Sequence, residues 1–550
     1  MTRNAAWTVI VYLAGDNNLT TECMFALGEM KRASFGKHVN VLAQFDPCDP
    51  HLPTHRYHIR RRGKKKTFRH DIIDRAGYEG NYGEVRFTKE SSKAQALALD
   101  RNRERRLRRP QLDEACLSGP PAEEEVITDD TDTGSPITLY NFISFCIEKY
   151  PADHYLVVLS GHAGGTERDY LLKDESSSRS LTFNELKNVF RRIKQDHGRP
   201  IDLLGMDNCL MSMAEICYEL RGLAEIVIGC ESFSPASGWP YREVLERLSE
   251  DFVGTRDHSV AEGAARAIVQ EYVNYYANYW LAGLSVTQSA LNVRKVEKLR
   301  DEIDTLAEVM ERRLVEEWRN NGTTRTFHDA LLLSHWEAQS YNGEQFVDLF
   351  DFCDCLELRI GEGAVTEQCR RIKEFLRNEF IVTSCYCGAA YQYSYGVSLY
   401  FPWSHIAPSY WNLDFVKDAN GSGWGSFLKT YTLLTRRVPR GLDADSRLGQ
   451  ALNGTIEERL FTASASERMG SDRMGTDRMG SDRMGSERMV PQRMSSERMG
   501  SDRMLSDRMN SGVALNYVHS MRNPPDVFFP DECLRNRRST LMTEEMLRLR

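Results

Sequence analysis

The sequence predicts an α/β fold built on a mainly parallel sheet with helices on both faces. Short runs typical of strands recur along the first half of the chain, at 9–14, 39–46, 56–60, 155–159, 201–206 and 226–229. Segments with helical spacing lie among them, at 137–149, 181–193 and 210–220. Mostly apolar strands that alternate with helices are typical of parallel sheets covered on both faces.

The composition excludes several classes of protein. The chain has 550 residues and a net charge of −8, which argues against a protein built mainly to coat nucleic acid. No apolar run approaches the ~18 residues that suggest a membrane span. The apolar run at 7–13 is too short for a signal peptide core, so we expect a cytoplasmic protein with no membrane partner. Thirteen cysteines without framework spacing are expected to be reduced thiols.

The chain divides into a core, an insertion and a helix-rich second half. Residues 1–61 and 134–257 carry the alternating strands and helices of the core. Residues 62–133 interrupt it with a basic stretch that ends in an acidic one. Solvated charge explains this insertion better than a regulatory or nucleic-acid contact. Residues 258–436 are richer in helix, with a late strand at 396–403.

A repeat array occupies residues 466–509, where a unit close to Gly-Ser-Asp/Glu-Arg-Met recurs with a period of five. Five residues advance a helix by ~140°, and five is an odd number for a strand, so neither structure places the methionines on one face. The array is therefore expected to be disordered, within a flexible linker at 437–512. A short tail, 513–550, follows it and contains the apolar residues 527–529.

Two reactive side chains follow two of the predicted strands. His162 comes three residues after the strand 155–159, and Cys209 three residues after the strand 201–206. Ligands bind at the carboxyl ends of strands in open α/β sheets, so His162 and Cys209 should face each other if these strands are neighbours. The helix predicted at 210–220 begins directly after Cys209, and its positive end favours a thiolate. The pair suits nucleophilic catalysis with His162 as general base and acid.

The residues after His162 suggest a place for an oxyanion. Ala163, Gly164 and Gly165 leave the backbone bare, so their N–H groups are candidates to hold a negatively charged oxygen. Taken alone, a cysteine at a helix start is usually inert, and a lone histidine is usually a satisfied polar residue. Both residues together, each at a strand end and near glycines, favour catalysis.

Several motifs in order resemble the clostripain family of cysteine peptidases. The resemblance spans about 1–61 and 134–436 and rests on the segments 7–19, 150–155 with 162–165, 207–212, 237–241 and 396–403. It implies a caspase-like fold, a dyad of His162 and Cys209, and cleavage after Arg or Lys. Ala163 stands where the family usually has Gly. This departure, the missing secretion signal and the array together indicate an intracellular signalling protease.

The same resemblance assigns residues that bind the substrate. It implies that Asp207, two residues before the nucleophile, binds the basic side chain of the substrate; a carboxylate at a helix start is the other interpretation of Asp207. Glu231 is the second candidate for this role. Trp239 belongs to the segment that resembles the lining of the family's substrate cleft. The implied partners are protein substrates, and the chemistry requires no cofactor.

Activation by proteolysis is a further expectation. Caspase-like enzymes are commonly matured by a cut between their two halves, so Lys173 and Arg179 in the polar segment 173–179 are candidate processing sites. The array offers more, either to the enzyme itself or to an upstream activating protease. These sites are Arg468, Arg473, Arg478, Arg483, Arg488, Arg493, Arg498, Arg503 and Arg508. A tail that restrains the enzyme until the array is cut is one interpretation, and a spacer grown by repeat expansion is the other.

Metal sites and a non-enzymatic role are weaker alternatives. Cys48, His51, His55 and His58 lie across a Pro-rich turn and a strand, so we expect no zinc site there. Residues 16–18, Asp-Asn-Asn, offer oxygen ligands for calcium, and helix capping explains them equally well. The rival function is a catalytically silent, peptidase-like scaffold that displays the array to partners. A missing dyad residue would favour it, and both residues are present.

Overall fold

The computed structural model of this chain describes residues 5–48, 54–59, 122–126, 132–252, 257–277, 285–319, 326–342, 345–403, 405–417 and 423–435. Most of the insertion 62–133 lies outside these residues, as do the linker 437–512 and the tail 513–550. What the sequence predicts for those segments, including the array arginines, therefore stays a prediction.

A nine-stranded sheet forms the centre of the described residues. Its strands are β1 (Ala5–Gly15), β2 (Val39–Pro47), β3 (His55–Ile59), β4 (Ala122–Val126), β5 (Ala152–Ser160), β8 (Ile201–Asp207), β9 (Ala224–Gly229), β10 (Val286–Asn292) and β13 (Ile381–Cys387). A hairpin is formed by β6 (Leu171–Asp174) and β7 (Arg179–Leu181). A small sheet contains β11 (Ser340–Tyr341), β12 (Phe346–Asp348) and β14 (Ser398–Tyr400).

Helices surround the large sheet. They are α1 (Thr20–Arg32), α2 (Pro136–Lys149), α3 (Gly165–Arg168), α4 (Phe183–His197), α5 (Ala214–Glu219), α6 (Tyr241–Asp251), α7 (His258–Ala277), α8 (Val296–Arg319), α9 (Thr326–Glu337), α10 (Leu349–Arg359), α11 (Ala364–Phe375), α12 (Asp414–Lys417) and α13 (Trp424–Thr435). None of the helices described is long and apolar enough to span a bilayer.

The large sheet is parallel in its middle and antiparallel at both edges. Its order is β13-β10-β9-β8-β5-β1-β2-β3-β4. The five strands from β9 to β2 run parallel, whereas β10 and β13 on one side, and β3 and β4 on the other, pair antiparallel. This arrangement confirms the prediction of a mainly parallel sheet flanked by helices.

The alternation of side chains along β1 explains why both faces of the sheet are covered. Val9 and Val11 point into one apolar core, together with residues of α1, α6 and α7. Ile10 and Tyr12 point into the other, together with residues of α2, α4 and α8. Successive side chains of a strand project to opposite faces, so a strand that is apolar at every position needs helices on both sides.

The second half is not separate from the sheet. It contributes β10 and β13, which extend the sheet next to β9, in addition to the predicted helices. Helix α10 begins at Leu349, directly after residues 346–348, which form β12. The late strand predicted at 396–403 is shorter, and only 398–400 pair as β14.

Candidate active site

The two strands that precede His162 and Cys209 are neighbours. β5 and β8 pair in parallel with Ser160 opposite Asp207, so both residues of interest stand two positions beyond the same end of the sheet. The Nδ2 of Asn208 donates to the carbonyl oxygen of Gly161 at 2.8 Å and joins the two strand ends. The condition under which the sequence predicts that His162 and Cys209 face each other, that their strands are neighbours, is therefore met.

A cleft with ≈ 640 Å³ of empty space opens at this edge of the sheet. Both His162 and Cys209 line it. The other lining residues are Asn18, Leu19, Glu22, Cys23, Ala26, Ser160, Gly161, Asp207, Asn208, Ser234, Pro235, Ala236, Ser237 and Gly238. Clefts at the carboxyl ends of parallel strands are the usual ligand sites of such sheets.

Cys209 sits in a turn and not at the start of a helix, which corrects the sequence prediction. Helix α5 begins at Ala214, five residues later. The backbone between them is held differently. Leu210 has a φ of 60°, its N–H donates to the carbonyl oxygen of Ser232, and the N–H groups of residues 211 and 212 donate to that of Cys230. No helix dipole therefore acts on the thiol from α5, since such a dipole acts only within the first turn.

The thiol of Cys209 is instead held by the segment after β9. The N–H of Ser234 donates to Sγ of Cys209 at 3.4 Å. Cys209 is 7% exposed, so a small part of it opens to the cleft. A hydrogen bond to sulfur and a sharp turn present this side chain at the end of β8 without a helix.

His162 contacts a residue that follows a third strand. Its Nε2 lies 2.6 Å from Oδ1 of Asn18, which comes three residues after the end of β1. β1 is the parallel neighbour of β5, so Asn18 and His162 reach the same edge of the sheet. From the sequence, helix capping or calcium binding was the expected role of Asn18.

Asp207 forms the polar floor of the cleft. Its Oδ2 accepts hydrogen bonds from the hydroxyls of Tyr241, at 2.8 Å, and Ser160, at 3.0 Å. Its Oδ1 is buried. Burial raises the pKa of Asp207 to about 6, against the smaller lowering effect of hydrogen bonds from the Tyr241 hydroxyl, the Trp239 N–H and the Ser160 hydroxyl.

The segment 237–239 shapes this floor. Gly238 has a φ of +66°, and a Cβ added to it would lie 2.7 Å from Oδ2 of Asp207. Only glycine fits there without displacing the carboxylate. Trp239 does not line the cleft: it is buried, and its ring lies over Gly205 of β8, where an added Cβ would come within 2.6 Å. Its place is therefore beneath the cleft, as packing.

Glu231 does not line the cleft, which argues against its prediction as a substrate-binding residue. It is 1% exposed, and its Oε2 accepts a hydrogen bond from the N–H of Gly396 at 3.1 Å. Burial, first of all, and the adjacent carboxyl of Asp348 raise the pKa of Glu231 well above its usual value. The side chain of Glu231 therefore joins the segment after β9, which holds the thiol of Cys209, to the residues just before β14.

The predicted oxyanion donors also lie away from the cleft. The N–H of Gly164 donates to the carbonyl oxygen of Tyr170 at 3.0 Å, which occupies it within the protein. Ala163 is fully buried and bridges Leu171. Neither residue lines the cleft, because the chain after Gly161 turns into the β6–β7 hairpin region.

Only part of the segment 173–179, predicted as an exposed loop, is exposed, because Lys173 is half-buried and Asp174 is buried in β6. Residues 175–179 are exposed at the end of the β6–β7 hairpin. The side chain of Arg179 is 53% exposed and that of Lys173 is 34% exposed. The two candidate processing sites thus differ in access.

The hairpin is anchored to the strand end that carries Asn18. Oδ2 of Asp16 accepts the N–H of Ser176 at 3.1 Å, and Nδ2 of Asn17 donates to the carbonyl oxygen of Lys173 at 2.7 Å. The carboxylate of Asp174 accepts from the N–H and the hydroxyl of Thr133. The side chains of residues 16 and 17 therefore hold the hairpin.

These contacts bear on the calcium alternative. In the part of the chain that the structure describes, no group of three or more His, Cys, Asp or Glu side chains is arranged to hold a metal ion. Asn17 uses both ends of its amide, since Oδ1 accepts the N–H of Leu19 and Nδ2 donates to the carbonyls of Ala14 and Lys173. Calcium binding at residues 16–18 stays a prediction from the sequence. Of the four residues considered above as a zinc site, His51 lies outside the described residues.

The sequence did not indicate that Glu22 and Asn18 line the cleft, or that Tyr241 supports its floor. Glu22 on α1 adds a second carboxylate to the lining, and Tyr241 holds the carboxylate of Asp207. Asn18 contacts His162 from a position 144 residues away in the chain. The end of β1 could have indicated Asn18, because β1, β5 and β8 all end at this edge of the sheet.

Comparisons with known proteins identify the class that this fold and cleft define. The profile of the clostripain family, peptidase C11, matches residues 118–431. Clostripain from Hathewaya histolytica is 25% identical over 137 residues, which are 22% of this chain and 25% of clostripain. The matched part is thus about a quarter of that relative's length.

Solved structures give a likeness of fold at low identity. A secreted C11 cysteine protease from Bacteroides thetaiotaomicron, in complex with an irreversible peptide inhibitor, aligns with a TM-score of 0.48 and 16% identity over 76% of this chain and 99% of its own. An inactive zymogen C11 protease from Parabacteroides distasonis aligns with a TM-score of 0.48 and 18% identity over the same shares.

Because the family profile covers more than half of the chain, the protein belongs to the clostripain family. The predicted membership is confirmed.

Proposed function

We propose that this protein is a cysteine endopeptidase in which Cys209 is the nucleophile and His162 the general base and acid. The observation that carries the proposal is their placement. Both side chains line one cleft, two residues beyond paired ends of β5 and β8. Membership of the clostripain family supports the same reaction class.

The proposed reaction follows from the chemistry of a thiol beside an imidazole. His162 takes the proton of the Cys209 thiol, and the thiolate attacks the carbonyl carbon of the scissile peptide bond. The tetrahedral intermediate collapses with loss of the amine, which receives the proton from His162, and a thioester remains on Cys209. Water, deprotonated by His162, then hydrolyses the thioester and releases the acid.

We propose that cleavage follows Arg or Lys and that Asp207 selects the basic side chain. The support is a carboxylate among the residues that line the cleft. A guanidinium or ammonium group that enters the cleft offers donors to a carboxylate, and charge-assisted hydrogen bonds of this kind are strong when partly dry.

We further propose that the enzyme is an intracellular signalling protease made as a zymogen and activated by proteolysis, by itself or by an upstream protease. The exposed turn at 175–179 supports a processing site between the two halves. The rival proposal, a silent scaffold, lacks a supporting observation because both dyad residues line the cleft.

The test is a cleavage profile of purified protein against a mixture of peptides. We expect Cys209→Ala and His162→Ala each to lower turnover by about 1000-fold or more, because nucleophile and base act as one unit. Matched controls are Cys387→Ala on β13 and His197→Ala at the end of α4, which should keep the parent rate. Substantial turnover by folded Cys209→Ala would refute the assignment.

A further inference from the structure

Asn18 is not needed for the turn in which it lies. Its neighbour Asn17 already satisfies that turn, since Oδ1 of Asn17 accepts the N–H of Leu19 at 2.8 Å and its carbonyl accepts the N–H of Thr20. Helix α1 begins at Thr20, and no side chain caps it. The capping role that the sequence suggested for this segment is therefore not performed by Asn18.

The side chain of Asn18 contacts the imidazole of His162. Its Oδ1 lies 2.6 Å from Nε2 of His162, and both residues line the cleft. An amide oxygen is an acceptor only, so Nε2 must carry the proton in this contact. The neutral imidazole that results has its lone pair on Nδ1, and that nitrogen is the one left to take the proton of a thiol.

We infer that Asn18 is a positioning residue that fixes the tautomer and the orientation of His162. This inference rests on the proposed peptidase function for its role in turnover. The amide oxygen also stabilises the imidazolium that forms when His162 takes the thiol proton, because the hydrogen bond from Nε2–H becomes charge-assisted.

The segment that carries Asn18 is rigidly placed for this role. Asp16 and Asn17, just before it, are bonded to the backbone of the β6–β7 hairpin, and β1 itself is paired along its length with β5. The amide oxygen therefore approaches His162 from a fixed strand end, as precise positioning requires.

The test uses two substitutions at one position, Asn18→Ala and Asn18→Asp. Asn18→Ala removes the acceptor, and we expect kcat/KM to fall on the order of 100-fold, which is the usual cost of a displaced catalytic group. Asn18→Asp keeps an acceptor oxygen and adds a negative charge beside the ring. We expect it to retain most of the optimal rate and to move the pH profile of kcat/KM upward by about one unit, because the carboxylate holds a proton on the imidazole.

A purely structural role predicts different results. Asp serves in turns and caps as well as Asn does, so Asn18→Asp would then leave the pH profile unchanged. Asn188→Asp on α4 is the matched control for added charge and should keep the parent profile. An unchanged profile in Asn18→Asp, or faster turnover in Asn18→Ala, would overturn the inference, the latter because it would make Asn18 a block on His162.

A second readout separates this inference from the proposed function. The rate at which iodoacetamide alkylates Cys209, measured against pH with Cys209→Ala as the blank, follows the thiol–imidazole pair without any peptide substrate. The same upward shift in Asn18→Asp is expected. If the parent cleaves no peptide but the alkylation profile shifts, the proposed function fails and the role of Asn18 stands.

Discussion

Burial sets the ionisation of two carboxyl groups, that of Asp207 on the floor of the cleft and that of Asp348 beside Glu231. It raises the pKa of each to about 6. A carboxyl group whose pKa is raised on folding favours the folded state while it is protonated. Its contribution is present below the unfolded pKa of 3.8 and is lost as the pH rises through about 6. Asp207 therefore costs stability at the pH where it can bind a cation.

We predict that Asp207→Asn weakens the specificity of cleavage and raises the stability of the fold at high pH. Asn cannot ionise, so the free energy of unfolding of the variant, relative to the parent, should improve by roughly 2 kcal/mol between pH 4.5 and pH 8. The preference for Arg or Lys should weaken in the same variant, because the carboxylate that pairs with the basic group is gone. Denaturant titrations at both pH values and a cleavage profile measure the two effects.

Glu231→Gln is the matched control for this prediction. The amide oxygen of glutamine can accept from the N–H of Gly396 as Oε2 of Glu231 does, and glutamine has nearly the same shape, so the fold should be kept. Glu231 lies outside the cleft, and the preference for basic residues should therefore be unchanged. A lost preference in Glu231→Gln, with a retained one in Asp207→Asn, would reverse the roles proposed for these two carboxyls.

At the scale of elements, the β6–β7 hairpin offers two processing bonds of unequal access. The carbonyl oxygen of Lys173 is bound by Asn17, and the next residue, Asp174, is buried against Thr133. Arg179 is more exposed. Among the ion pairs of the described residues, its side chain takes part in one, with the carboxylate of Asp132 at 3.5 Å. A protease must draw several residues of backbone away from the body, which Arg179 permits at a smaller cost.

We predict that Arg179→Gln slows cutting of the hairpin several-fold, that Lys173→Gln slows it less, and that the double variant remains intact. Mass spectrometry of the fragments over time gives the rates and the bonds. Arg191→Gln, on the exposed face of α4, controls for the loss of a surface charge. A fully active enzyme whose chain is uncut between β6 and β7 would contradict activation at this hairpin.

The central elements could be predicted because their sequence signal is local. β1, β5 and β8 are apolar on both faces, which marks buried parallel strands. β10 escaped prediction because its buried residues include Thr287, Gln288 and Ser289, whose polarity hides a strand. The helix expected directly after Cys209 was wrong because Leu210, Met211 and Met213 have helical spacing, yet they are buried by a turn bonded to residues 230–232.

The residues of the site also divide into those that the local sequence predicts and those that depend on packing. His162, Cys209 and Asp207 follow strands in the sequence, so their convergence could be predicted from strand order alone. The contact of Asn18 with His162 joins residues far apart in the chain and depends on how the end of β1 meets that of β5. The burial of Glu231 beside Asp348 likewise depends on the packing of the second half, which no local pattern encodes.

At the scale of the whole molecule, the role of the array remains a prediction from sequence. The described residues end at Thr435, whose hydroxyl donates to the carbonyl oxygen of Trp403, and the array begins 31 residues later by the numbering, at 466. We propose that the tail restrains the enzyme and that cutting after the array arginines releases it. Repetition gives each encounter with a protease many chances to succeed.

We predict that replacing all nine array arginines with Gln slows activation relative to the parent, since an Arg-directed protease then has no bond to cut there. Activity against time and gel analysis of the tail measure the effect. Replacing the nine methionines with Leu preserves the arginines and serves as the control. Unchanged activation, with an uncut array in the parent, would leave the array as a spacer.

The position of the hairpin in the chain has one more consequence. It lies between β5 and β8, which are hydrogen-bonded neighbours in the sheet. A break at its exposed turn yields two polypeptides joined along that seam, one carrying His162 and the other Cys209. Neither polypeptide alone holds a complete cleft. The same two pieces produced from separate genes therefore form a complementation pair, in which activity appears only when they associate.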